Sequence, residues 1–248
     1  MIKARHIEEA SLNAWPALNS LLYDGWLLRF ANGYTKRANS VTPLCASELA
    51  AGTKVDVCEA LYRGQGLPPI FRLPVCAEVQ ELDALLAERG YRQIDITSVQ
   101  GRPLSGEDIS MAAGVDVLVG EEGLSRWLDI FHAINPARRD GQTHKAILGR
   151  VIGRICPLVL RHRKEITACG LGILQGDLLG LFDIVTRESI RRRGYGRAVT
   201  EGLLAWGRGQ GAAYAYLQVM VNNEPAQRLY AGLDFSEQYR YWYRVARD

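Results

Sequence analysis

Between Leu178 and Phe235 the chain reads strand, basic glycine loop, helix, strand, helix, and no other stretch narrows the possible folds as far. The apolar run Leu178-Leu179-Gly180-Leu181-Phe182-Asp183-Ile184-Val185 leads into Arg191-Arg192-Arg193-Gly194-Tyr195-Gly196-Arg197. Val199, Leu203 and Trp206 then recur at helical spacing. A turn rich in Gly and Arg at a strand-to-helix junction is a place to hold phosphate. Glycine lets the backbone come close, the first helical N–H groups are unpaired, and the helix dipole favours negative charge. The arginines add donor forks that match phosphate oxygens. Arginine runs elsewhere are often solvated faces or nucleic-acid contacts, but this one interrupts a strand–helix unit where ligands collect. It is not the dinucleotide fingerprint G-x-G-x-x-G, because the third glycine position holds Val199, and no G-K-[ST] follows to make a P-loop.

The strand Tyr214 to Val221 is followed by Asn222-Asn223-Glu224-Pro225-Ala226-Gln227-Arg228-Leu229-Tyr230-Ala231-Gly232-Leu233-Asp234-Phe235. Arg191-x-x-Gly194-x-Gly196, then Asn223-x-x-Ala226-x-x-Leu229-Tyr230 and Phe235, resembles the GNAT superfamily of acetyl-CoA-dependent acetyltransferases over roughly the C-terminal half. That resemblance implies acetyl-CoA as co-substrate. Its pantetheine would lie along the backbone of Ile184, Val185 and Thr186, and its pyrophosphate on N–H groups from Arg192 to Arg197. It also implies that Tyr230 protonates the departing thiolate, with a core tyrosine as the plain alternative. Asn223 would bond the pantetheine arm, cap the following helix, or do both. The family usually has Gly before the Phe; Asp234 stands there, which predicts a changed turn.

The general base is less legible. Asp183 is the sole carboxylate in the strand before the loop, and alternation puts it on the face of Leu181 and Val185. It is either a base for the acceptor amine or a structural acceptor. Glu188 lies in the loop and reads as solvent-facing, and no histidine offers a better geometric case.

Composition bounds the rest. The 248 residues are 48% hydrophobic and 23% charged, ordinary for a globular chain. No apolar run approaches the ~20 residues that cross a bilayer, and the N-terminus lacks a secretory pattern. The expectation is a cytoplasmic protein without membrane or nucleic-acid partners. Residues 1–110 carry 11 basic and 13 acidic groups, residues 111–248 carry 19 and 14. A polyanionic small ligand accounts for that excess. The five cysteines at 45, 58, 76, 156 and 169 read as buried reduced thiols. Isolated histidines give no metal site.

Arg63-Gly64-Gln65-Gly66 recurs letter for letter as Arg208-Gly209-Gln210-Gly211, 145 positions later, each at a helix end before a strand. Asn32-Gly33 predicts a hairpin turn between strands at 24–30 and 35–44, which falls opposite the strands at 169–186. Helices are expected over 6–14, 46–63, 79–88, 121–133 and 136–150, and strands over 70–73 and 94–99. Strands also fall at 156–161, 166–175 and 178–186, with a closing strand at 238–245 and a linker at 101–114. These point to an α/β protein, a tandem GNAT-like fold with mixed, mostly antiparallel sheets flanked by helices. Residues 1–110 would be a degenerate copy, since Ala46 to Ala51 replaces the arginine–glycine loop, and residues 111–248 would bind acetyl-CoA. The expected activity is acetylation of a primary amine on a small molecule or protein. A non-enzymatic acyl-CoA sensor is the alternative.

Overall fold

The computed structural model describes residues 4–74, 79–104, 111, 113–137 and 140–246. Helix α1 (Ala4–Ala14) precedes the strands β1 (Asn19–Tyr23), β2 (Trp26–Phe30) and β3 (Val41–Pro43). Then come α2 (Ala51–Gly64), β4 (Ile70–Pro74), α3 (Gln80–Glu88) and β5 (Arg92–Pro103). The second half has β6 (Val115–Val117), α4 (Gly120–Ile134), α5 (Gly141–Leu148), β7 (Arg154–His162), β8 (Glu165–Gln175) and β9 (Leu178–Thr186). It closes with α6 (Tyr195–Gly209), β10 (Tyr214–Met220), α7 (Glu224–Ala231) and β11 (Ser236–Val245).

All of these strands join one mixed sheet, in the order β1-β2-β3-β4-β11-β5-β10-β9-β8-β7-β6. The order shows an exchange. β11 lies between β4 and β5, antiparallel to both, while β5 lies against β10. Each half therefore lends its last strand to the other, so the two halves share a continuous hydrogen-bonded ladder. One face of the sheet is covered by α1, α4 and α5, which bury Ile7, Trp127 and Ile147 in a core common to both halves. The opposite face carries α2 and α3 over Phe71 and Leu73, and α6 and α7 over Leu179 and Leu217.

The repeat extends beyond its letters to backbone geometry. Leu67 N–H returns to the Tyr62 carbonyl, and Ala212 N–H to the Gly207 carbonyl, each 2.9–3.0 Å, with Gly66 and Gly211 both at positive φ. The two copies thus close α2 and α6 with the same left-handed cap. The same bond closes the next pair of helices, from Tyr91 N–H to Leu86 and from Phe235 N–H to Tyr230.

Several expectations need correction. The Asn32-Gly33 turn forms with both residues at positive φ and Tyr34 N–H bonded to Ala31 O at 3.0 Å. A 3-10 turn at Lys36–Ala38 then delays the return strand to β3. A second hairpin turn, Asp24-Gly25, joins an additional edge strand, β1, to β2; both of its residues are left-handed, as Asp-Gly favours. β6 is likewise a strand beyond those expected. The helix expected from 136 begins at Gly141, where the Asp140 carboxylate accepts from Thr143 N–H at 2.9 Å. The expected linker at 101–114 overlaps the sheet, because Gly101 to Pro103 continue β5 beside β10; residues 105–110 and 112 lie outside the described residues. Cys58, Cys156 and Cys169 are buried and free, but Cys45 is exposed, and Cys76 lies outside the described residues.

Asp234 does not change its turn either. It takes φ +59, the conformation a glycine would supply there, between α7 and β11. Left-handed backbone is costly for a residue with a Cβ. Asp234→Gly is therefore expected to keep the fold and raise stability by up to about 1 kcal/mol, read as a higher thermal midpoint.

Candidate active site

β9 and β10 run parallel and pair only from Leu178↔Tyr214 to Leu181↔Leu217. Beyond that point they part, β9 staying with β8 and β10 with β5. The gap opens a cleft of about 370 Å³, with Ile184 and Val185 on one wall, Gln218 and Val219 on the other, and Asn223 and Tyr230 of α7 at one side. The edge of β9 from Phe182 to Thr186 thus faces no strand on the cleft side, leaving its backbone groups for an extended ligand. Thr186 ends the strand, paired with Ala168.

The arginine–glycine loop sits at the end of this cleft. Gly194 caps α6 with φ +82, and open space surrounds the position its Cβ would occupy. Arg192 is also left-handed, φ +63. The amide N–H groups of residues 192–197 find no acceptor among the described residues, so they form an outward-facing set of donors at a helix N-terminus. A Cβ on Gly196 would come within 3.2 Å of Leu229, so this glycine lets α6 and α7 approach.

The arginines divide their work. Arg192 and Arg193 are exposed, and neither has a carboxylate partner among the described residues. Arg191 lies 3.8 Å from Glu188 and reaches the Thr186 carbonyl at 3.4 Å. Arg197 binds Glu201 at 2.8 Å and the Gly232 carbonyl at 3.0 Å, which ties α6 to the end of α7. Its side chain is a structural brace, and only its N–H faces outward with the others. Tyr195, the first residue of α6, packs its ring against His162 at 5.7 Å.

Asn223 accepts from Ala226 N–H at 3.3 Å, so the capping role is present, and it also lines the cleft. Tyr230 is half-buried in the same wall, its ring 6.0 Å from Phe235. Burial pushes its hydroxyl up to about 12, which keeps the proton on the phenol at neutral pH.

Asp183 departs most from the simple reading. β9 bulges there: Phe182 pairs with Leu171 and Val185 with Cys169, so two residues oppose one. Asp183 takes φ +47. The bulge breaks the alternation that put Asp183 with both Leu181 and Val185. Leu181 and Ile184 pack under α6, whereas Phe182 and Val185 pack toward α4 and α5. Asp183 turns to that second side and stands 3.1 Å from Nε2 of His144, although the two are not aligned as a hydrogen bond. His144 is fully buried in a box of rings from Trp15, Tyr34, Trp127 and Phe131. Its Nδ1 lies 3.4 Å from Nε2 of His132. Asp183 thus begins a line of polar side chains, His144 and then His132, running away from the cleft. No local sequence signal marks His144, which comes from α5 and meets Asp183 only through the fold.

A second cavity, about 290 Å³, adjoins the first through Arg37, Asp183, Gln218 and Met220, which line both. Its remaining walls come largely from the first half, including Trp15, Tyr34 and Asp95, and from Tyr241 and Tyr243 of β11. Among the described residues there is no group of three metal-ligating side chains, and no helix is long and apolar enough to cross a membrane.

A family model described as "Probable histone acetyltransferase Rv0428c C-terminal" matches residues 2–244. The chain belongs to this acetyltransferase family of the GNAT superfamily. It is 29% identical over 258 residues to the uncharacterized N-acetyltransferase YobR of Bacillus subtilis, covering 98% of each chain. It is 27% identical to the probable histone acetyltransferase Rv0428c of Mycobacterium tuberculosis, over 87% of this chain and 65% of that protein. Among solved structures, a GCN5-related N-acetyltransferase from Kribbella flavida superposes with a TM-score of 0.75 at 13% identity, over 99% and 96% of the two chains. A tandem GNAT protein from the clavulanic acid biosynthesis pathway gives a TM-score of 0.55 at 14% identity, over 84% and 76%. The α/β tandem GNAT-like fold is thereby established.

Proposed function

We propose that this GNAT-type acetyltransferase takes its acetyl group from acetyl-CoA and passes it to a primary amine, with residues 111–248 holding the coenzyme and residues 1–110 walling the acceptor side. The observation that carries the reading is the split between β9 and β10, with free N–H donors at one end and Tyr230 in its wall. The backbone of Ile184, Val185 and Thr186 would hold the pantetheine, and the N–H groups of Arg192 to Arg197 the pyrophosphate. Asp183, backed by His144, would remove a proton from the acceptor ammonium. The freed amine attacks the thioester carbonyl, and Tyr230 gives its proton to the departing sulfur.

The first half supports a single coenzyme site. In the loop entering α2, the counterpart of α6, the N–H groups of Glu48 and Leu49 already donate to the Asp24 carboxylate, each at 3.0 Å. Those two bonds lead the effects that hold Asp24 below the usual carboxylate range, and Lys54 lies 3.1 Å away. The chain thus supplies its own anion where the second half leaves donors open.

Calorimetric titration with acetyl-CoA tests the reading: one equivalent per chain is expected. Two equivalents would remove the silent role of the first half, and no binding would remove the coenzyme role of the loop. Tyr230→Phe should keep acetyl-CoA affinity and lower kcat about a hundredfold, the lower end of a general acid's usual contribution. Unchanged kcat would make Tyr230 a packing residue.

A further inference from the structure

The acceptor cavity is lined by residues carrying three buried polar atoms that have no hydrogen-bond partner among the described residues. They are Nε of Arg37, Nε2 of Gln218 and Oδ2 of Asp183. Arg37, Gln218 and Asp183 each line both cavities, and the Asp183 Oδ2 atom also lies 3.1 Å from Nε2 of His144. Buried donors and acceptors are costly to leave unpaired. Two donor side chains and a carboxylate lining one cavity suit a molecule that carries both a carboxylate and an ammonium.

The surroundings hold these groups ready. The loop from Ala31 to Asn39 is wrapped around the Asn39 carboxamide, which accepts from Ala31 N–H at 2.7 Å and Gly33 N–H at 2.9 Å and donates to Thr35 O at 2.7 Å. Arg29 fastens the Arg37 carbonyl at 2.9 Å. The Arg37 guanidinium carbon lies 5.6 Å from the ring centres of both Trp15 and Phe182. Its neighbour Lys36 is committed to Asp95 at 3.0 Å, whereas Arg37 has no carboxylate partner among the described residues. Gln218 is oriented by the Tyr241 hydroxyl, which donates to its Oε1 at 2.8 Å and leaves its Nε2 for a ligand.

We propose that the acceptor is a small amino-acid-type compound, carrying a primary amine and a carboxylate in one molecule. Its carboxylate sits on Arg37 and Gln218, and its amine faces Asp183. An arginine fork beside an amide donor suits a carboxylate, and Asp183 suits an ammonium. The volume of about 290 Å³ lies at the small end of ligand pockets, which run from ~300 Å³ upward. This favours a free small molecule over a peptide segment. The inference deepens the acetyl-transfer reading and rests on it.

The competing use of the same donors is to stabilise negative charge on the thioester oxygen, which would treat all amines alike. The test therefore compares a panel of free L-amino acids with their carboxamides, titrated into the coenzyme A-loaded chain. At least one acid is expected to bind roughly tenfold or more tightly than its carboxamide, the worth of a charge-assisted hydrogen bond. Arg37→Gln and, separately, Gln218→Leu should bring that ratio close to one while the thermal midpoint and coenzyme affinity persist. Equal binding of acid and carboxamide, no binding of any acid, or a ratio that survives in Arg37→Gln would overturn the proposal. A chain that fails to bind acetyl-CoA but still prefers acids through Arg37 would sink the transfer reading alone.

Discussion

Glu8→Gln is expected to lower the stability of the chain by about 3–5 kcal/mol, the usual effect of removing one partner from a buried ion pair. Glu8 of α1 is 4% exposed and Arg72 of β4 fully buried. Both terminal guanidinium nitrogens of Arg72 donate to the carboxylate, and the Tyr239 hydroxyl of β11 donates to it at 2.6 Å. Without the negative charge, Arg72 is left buried beneath Tyr241, with its guanidinium 3.8 Å from that ring centre. Replacing Glu8 and Arg72 together by methionine should restore most of the loss, because no charge then lies buried. Urea unfolding of the wild type and the two variants measures this, and a loss below about 1 kcal/mol in Glu8→Gln would mean that the site relaxes or hydrates.

The pH dependence follows with its sign. Burial alone would raise the Glu8 carboxyl, but the charge and hydrogen bonds of Arg72, with the Tyr239 bond, hold it below the usual range. A carboxyl whose folded value is depressed adds stability above its unfolded value, about 4.3. That stability is lost as pH falls through the lower folded value. Acid unfolding should therefore begin at higher pH in a variant with weakened pairing, such as Tyr239→Phe.

Asp183→Asn should lower kcat/KM by about 10² to 10⁴, the range expected on losing a general base. The loss should appear in kcat while acetyl-CoA affinity persists, because only proton removal from the acceptor is taken away. His144→Gln should give a smaller loss, because His144 touches Asp183 and lies away from both cavity linings. An unchanged kcat/KM in Asp183→Asn would leave Asp183 as the support of the bulge. Its left-handed backbone makes a functional role worth testing, since such conformations cluster at active sites.

Residues governed by local chemistry are legible from the letters around them. Gly194 and Gly196 suit glycine because the turn into α6 takes positive φ at one and brings α7 close at the other, and Asn223 caps because it stands between a strand and a helix. The repeated Arg-Gly-Gln-Gly gives away the duplication, because both copies answer the same demand for a left-handed helix end. Asp183 is legible as a residue, but its face is not. A bulge inserts one residue into an alternating pattern, and no letter of Phe182-Asp183-Ile184 announces it.

Contacts between distant segments lie out of reach of the sequence. Nothing local says that β11 slips between β4 and β5, since that depends on which ladder is left open once each half has folded against the other. The exchange carries Tyr241 and Tyr243 to the acceptor cavity, and the shared face of the sheet brings Arg37 and His144 to Asp183. Periodicity and turn chemistry are properties of neighbouring residues, so the sequence itself determined the elements, the repeat and the arginine–glycine loop. The lining of the second cavity is a property of the sheet order, and the tertiary structure alone decided it.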